Sequence, residues 1–184
     1  MGRASAALAG RLTDRGLVRQ SDRAMRLAAW PRADVTPGVR VLPARAMRAA
    51  YQTMLEAAPS GGAYEPRADV AAVAQERLDD PSLDVFVAMV GKVPAGRCAL
   101  YQVGDLAQVR GLAVVPGFAD AGVARALLCH VLALAKRLTI GKVLALVPED
   151  GTSTFEALQH AGFVADGEIE SYRRRTADQE NAPA

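Results

Sequence analysis

The chain has 184 residues, 51% of them apolar and only 5% aromatic, with 22 basic and 20 acidic side chains for a net charge of +2. That length and apolar share suit one unit with one core. The near balance of charge asks for neither DNA nor an anionic membrane as partner, and so few aromatic rings leave little to stack single-stranded nucleic acid upon.

The charge is unevenly spread. Residues 1–50 carry ten arginines against Asp14, Asp22 and Asp34, whereas the remainder carries 12 basic and 17 acidic residues. The arginines are dotted among Ala and Leu, which reads as a solvated helical face. Cys98 and Cys129 lie far apart, and His130 and His160 complete no ligand spacing, so no metal is expected. Two thiols without a secretory signal read as reduced, in a cytoplasmic protein. The longest apolar run, around Val131–Ala135, is far below the roughly 20 residues of a membrane span.

In chain order, residues 1–30 have helical composition and end at Trp30-Pro31. Pro37-Gly38 is a turn, and Val39–Leu42 alternates as a strand. Ala44–Ala58 and Arg67–Leu78 read as helices, separated by Pro59-Ser60-Gly61-Gly62. Three strand-like runs follow, Asp84–Val90, Val93–Val103 and Leu106–Val115. Gly91-Lys92 and Gly104-Asp105 are tight-turn signals between them, so the pairing should be antiparallel. Then the period changes: Val123, Leu127, Val131 and Ala135 fall at steps of four, one face of a long helix. Lys142–Val147 is a short strand, Thr152–Ala161 a helix with Gly162 as its C-terminal cap, and Phe163–Tyr172 a last strand. Residues 176–184 are polar and read as a disordered tail. This order predicts an α+β domain rather than a repeated βαβ chain.

A weak internal echo stands out. Leu12-Thr13-Asp14-Arg15-Gly16-Leu17-Val18 resembles Leu158-Gln159-His160-Ala161-Gly162-Phe163-Val164, each a helix end, a glycine and a strand start. It suggests that residues 1–37, read as an N-terminal helical extension, are the remnant of a preceding half, with residues 38–175 as the main domain.

The chemistry is concentrated in Leu112–Leu128, an apolar strand, a loop of small residues and the start of the long helix. A helix start offers unpaired N–H groups and the positive end of the helix dipole. Small side chains let phosphates approach those amides, so an anion site follows without a special side chain.

This stretch resembles motif A of the GNAT N-acetyltransferases, with Leu112, Ala113 and Val114 matching the strand that lies along the pantetheine. Gly122 and Ala124 match the small positions of the phosphate loop, and Arg125-Ala126-Leu127-Leu128 the helix start. Ala157–Phe163 is similar to the superfamily's short helix ending in Gly-Phe. The resemblance spans about residues 38–175. It implies a mixed, mostly antiparallel twisted sheet flanked by helices, and acetyl-CoA as cosubstrate. Leu112, Ala113, Val114, Ala119, Asp120, Ala121, Gly122, Val123, Ala124 and Arg125 would hold it.

The departures are specific. Ala119 replaces the Arg or Gln that opens the family's phosphate loop, and Asp120 adds a negative charge beside the expected pyrophosphate, as an alternative helix cap. The family's tyrosine acid falls on Leu158, its asparagine on Gly151, and its glutamate base on Val109-Arg110-Gly111. Tyr101 and Tyr172 are the candidates to replace the missing acid, with Tyr51, Tyr64 and Asp105 behind them. Two functions follow from the resemblance. One is an acetyl-CoA-dependent N-acetyltransferase acting on a small-molecule or peptide amine by direct attack, compatible with a homodimer. The other is a degenerate domain that binds acyl-CoA for regulation. The acidic excess after residue 50 points toward a cationic amine.

Overall fold

The computed structural model describes residues 6–32, 36–56, 68–119 and 122–174. Helix α1 (Ala6–Asp14) leads into strand β1 (Leu17–Leu27), and β2 spans Val39–Pro43. A 3-10 turn, Ala44–Ala46, precedes α2 (Arg48–Glu56); α3 (Ala68–Glu76) runs into a second 3-10 turn, Arg77–Asp79. The meander follows as β3 (Leu83–Val90), β4 (Val93–Val103) and β5 (Leu106–Val114). Helix α4 (Val123–Arg137), β6 (Lys142–Pro148), α5 (Thr152–His160) and β7 (Phe163–Arg174) complete the order.

All seven strands form one sheet in the order β2-β3-β4-β5-β6-β1-β7. Every pairing is antiparallel except β5 with β6. The α+β class and the mixed sheet expected from the sequence are therefore present.

Strand β3 shows how the layers are built. Val85, Val87 and Met89 face α2 and pack with Tyr51, Met54 and Leu55. Phe86 and Ala88 face the other way, into the core beneath α4. A strand buried on both faces needs an unbroken apolar run, which is what Val85–Met89 supplies. On α4, Val123, Leu127, Val131 and Ala135 are all fully buried, so the step of four in the sequence is the stripe that closes this core. The sheet thus has an α4 face and an α2 face.

The N-terminal segment corrects the sequence reading. Helix occupies only Ala6–Asp14, and Leu17–Leu27 is a strand inside the sheet, between β6 and β7. Its polar outer residues hide the alternation, but Met25 on the α4 face is fully buried, beside Ala145 of β6. The echo has a geometric counterpart. Gly16 and Gly162 both adopt positive φ, +76° and +95°, between a helix and a strand. The strands they introduce lie side by side, antiparallel, from Leu17 opposite Arg174 to Leu27 opposite Phe163. Residues 176–184 lie outside the described residues.

Candidate active site

The sheet opens between its two parallel strands. Leu106–Val109 of β5 pair with Lys142–Ala145 of β6, and the ladder stops there. Beyond that point β5 continues to pair only with β4, and β6 only with β1. Gly111 marks the departure: its φ is +58°, and the β4–β5 register shifts between Arg97 and Ala99. A bulge of this kind bends the strand and ends its pairing on one side. The backbone of residues 110–114 therefore turns one edge to the opening, without a ladder partner among the described residues. Such groups call for a hydrogen-bonding partner.

Helix α4 lies against this opening because Gly96 lets it in. A β-carbon on Gly96 would stand 2.5 Å from Val123 Cγ1 and 3.0 Å from the carbonyl oxygen of Ala113. The first turn of α4 is thus packed directly on the strand pair that carries Leu112–Val114. Gly122 is its N-cap, in the left-handed conformation at φ 69°, and among the described residues no side chain caps the helix. A helix start of this kind is suited to an anion through its first-turn amides.

The residues expected at the site divide as follows. Leu112, Ala113 and Val114 line the opening from β5. Ala119 is exposed just before the helix, and Val123 is fully buried, so it offers its backbone and not its side chain. Ala124 and Arg125 sit in the first turn of α4, Ala124 half-buried. Asp120, Ala121 and Tyr64 lie outside the described residues. The N-cap position itself is Gly122.

The catalytic candidates separate more sharply. Tyr51 is buried in the α2 core. Asp105 holds a turn, its carboxylate accepting the Gly141 N–H at 2.7 Å while its carbonyl accepts that of Lys142. Tyr172 donates to Glu170 at 3.5 Å on the sheet's edge strand, with β1 and β6 between it and the opening. Cys98 is buried and its thiol is pushed up to about 12 by desolvation, so it is no nucleophile. Leu158 is 1% exposed in the core under α4. Among the described candidates, Tyr101 lies nearest the opening, on β4 with β5 between, and the Arg110 guanidinium is 5.7 Å from its ring centroid.

Residues not singled out from the sequence join it on the α2 face. Gln108 pairs with Leu144 next to the last rung before the opening. Arg97 and Arg110 flank Gly111. Asp22 of β1 lies opposite Pro148 at the end of β6; its neighbour Arg23 lies opposite the core residue Val147, so Asp22 faces the other way, onto the α2 face. Asp22 is half-buried and accepts a hydrogen bond from Gln20 at 3.2 Å. It was legible only once β1 is seen as a strand.

A cavity of about 470 Å³ lies at the far end of α4, lined by Phe86, His130, Leu134 and Arg137. Arg45 at its rim is committed to the carbonyls of Leu78, Asp80 and Leu83. It is remote from Gly122 and has no part in the opening. Among the described residues there is no cluster of metal-ligating side chains and no helix long and apolar enough to cross a membrane.

A mixed sheet that opens between its parallel strands beside the start of a long helix is the fold of the acetyltransferases to which this chain is similar. The chain belongs to the acetyltransferase (GNAT) family, whose model matches residues 46–163. Among solved structures it is similar to a GCN5-related N-acetyltransferase from Sphaerobacter thermophilus, at 21% identity and a TM-score of 0.63, covering 94% of this chain and 58% of that one. It is similar to a GNAT-family acetyltransferase from Colwellia psychrerythraea, at 13% identity and a TM-score of 0.65, covering 94% and 63%. It is also similar to AAC(6')-Iy, solved with the bisubstrate analogue CoA-S-monomethyl-acetylneamine, at 18% identity and a TM-score of 0.61, covering 75% and 99%. No curated protein matches the sequence.

Proposed function

We propose that this chain transfers an acetyl group from acetyl-CoA to a primary amine by direct attack. The observation that carries this reading is the opening between β5 and β6, with the start of α4 at its mouth. Acetyl-CoA supplies the thioester. The N–H groups of the Leu112–Val114 segment would hold its pantetheine arm and polarise the carbonyl, and the first amides of α4 would hold its phosphates.

The acceptor enters from the α2 face, because α4 and α5 cover the other. Its ammonium sheds a proton, which passes through solvent to Asp22. The neutral nitrogen then attacks the carbonyl carbon. A C–N bond replaces the C–S bond, and the departing sulfur takes up the proton that the nitrogen releases. Positioning supplies much of the acceleration, with Tyr101 as the proton donor nearest the opening. The free cysteines, Cys98 and Cys129, suit a reducing, cytoplasmic setting.

A second reading, an acyl-CoA-binding module without turnover, is favoured by one observation. Leu158 puts an apolar side chain, wholly within the core, where the family resemblance expects a proton donor. Two measurements separate the readings. Acetyl-CoA should raise the melting temperature as RT ln(1 + [L]/Kd), and free thiol should then appear with some amine of a broad panel. Stabilisation without thiol release from any amine supports the module. No stabilisation at millimolar acetyl-CoA removes both.

A further inference from the structure

The α2 face beside the opening is cationic, at the spot where an acceptor must bind. Arg97 and Arg110 come from neighbouring strands, opposite Ala113 and Ala99 respectively. Ala99, between Arg97 and Tyr101 on β4, packs against the α2-side core, so all three of these alternating positions share that face. The Arg97 guanidinium reaches Gly111: its Nη1 is 3.8 Å from where a β-carbon there would be. Arg110 immediately precedes Gly111 and lies over the Tyr101 ring. Two guanidiniums thus lie on the α2 face beside the point where β5 leaves β6, that of Arg97 at Gly111 and that of Arg110 over Tyr101. Among the described residues neither forms an ion pair, while Arg19, Arg26 and Arg48 do.

Two like charges brought together repel each other, and an arginine fork is shaped to bind a carboxylate by two parallel hydrogen bonds. A polyamine or aminoglycoside acceptor would meet the same repulsion. We infer that the acceptor carries a carboxylate next to its amine, as a free amino acid does, and that Arg97 and Arg110 bind that carboxylate. Asp22, across β6 on the same face, lies on the side left to the ammonium. Specificity then runs against the acidic excess of the chain as a whole, because the charges at the bulge are closer to the acceptor than the distributed ones. The inference rests on the transfer reading only in taking the α2 face as the acceptor's side.

The test uses products, so that binding is read whether or not turnover occurs. N-acetyl amino acids and the matching N-acetyl amino-acid amides are titrated onto the full chain in the presence of coenzyme A, for each of the common side chains. At least one acid should bind about tenfold or more tighter than its amide. Arg97→Gln and Arg110→Gln should each reduce that preference, and the double variant should abolish it, with the acetyl-CoA thermal shift unchanged as the control for folding. Acids and amides binding alike overturns the inference. So does a preference that survives the double substitution, or binding of acetyl-CoA with no acid bound. If acids bind with the Arg-dependent preference and no amine of the panel is acetylated, the transfer reading fails while the carboxylate site stands. If neutral amines are acetylated as well as amino acids, the transfer reading stands and this one fails.

Discussion

The methyl group of Thr36 stands 2.8 Å from the point where a β-carbon on Gly122 would sit, and Gly122 itself holds φ at +69°. Any side chain at Gly122 therefore strains the backbone by roughly 1–2 kcal/mol and collides with Thr36, whether or not a phosphate binds there. Gly122→Val should lower the melting temperature of the ligand-free protein. Loss of acetyl-CoA binding by that variant would say little about the phosphate loop.

Ala124→Glu separates the two effects. A carboxylate in the first turn favours the helix dipole but opposes a pyrophosphate at the same amides. Ala124 is only half-buried, so the side chain has room. Thermal stability should stay level or rise slightly while the acetyl-CoA Kd, by calorimetry, weakens about tenfold or more. An unchanged Kd would place the phosphates elsewhere.

Gly96→Ala tests the seat of α4. The added methyl meets Val123 and the Ala113 carbonyl at once, and backbone on one side cannot rotate away. Overpacking of this kind costs about 1–3 kcal/mol. Denaturant midpoints should fall accordingly, with acetyl-CoA affinity falling too because the helix start shifts off the Leu112–Val114 strand.

The meander, α4 and the closing helix and strand were legible because their signals are local: alternation, a step of four, and glycines at the turns. Strand β1 was not. Its residues 17–27 alternate between a core they barely touch and solvent, and only Met25 is fully buried. Its place between β6 and β7 is fixed by pairing with strands more than a hundred residues away. Asp22 was lost with it. The Leu112–Val114 strand was legible as part of a motif, but the placing of Arg97 and Arg110, opposite Ala113 and Ala99 across the bulge, depends on a register shift that sequence periodicity does not show.

His130 should report on pH. Its ring meets Phe86 edge-on at 4.6 Å, and burial followed by the charge of Arg137 holds its pKa below the ordinary 6.5. The unfolded chain therefore takes up a proton first, and stability present above the unfolded value is lost as pH falls through it toward the folded value. Urea midpoints should drop between pH 7.5 and 5.5. His130→Leu should flatten that part of the profile while leaving the carboxylate-driven loss at lower pH. Equal slopes in both proteins would show that other groups carry the dependence.

Asp22→Asn keeps the Gln20 contact within reach and removes the charge. If Asp22 accepts the acceptor's proton, kcat/KM for the amine should fall about 10²-fold, with the loss shrinking as pH rises and the free amine becomes abundant. The acetyl-CoA Kd should not move. A fall that is the same at every pH would point to a packing role instead.

Tyr101 and Tyr172 can be told apart by a single atom. Tyr101 lies under Arg110, one strand from the opening, and no hydrogen bond to its hydroxyl is found among the described residues. Tyr172 spends its hydroxyl on Glu170, with two strands between it and the site. Removing each hydroxyl leaves the ring and its packing in place, so stability should change little in either variant. If Tyr101 protonates the departing thiolate, Tyr101→Phe should lower kcat about 10²-fold or more while the KM for acetyl-CoA holds. Tyr172→Phe should match the parent protein in both constants. Equal activity in the Tyr101 variant would leave water as the proton donor, and a loss confined to Tyr172→Phe would move the reacting centre to the sheet's far edge, against the opening that β5 and β6 define.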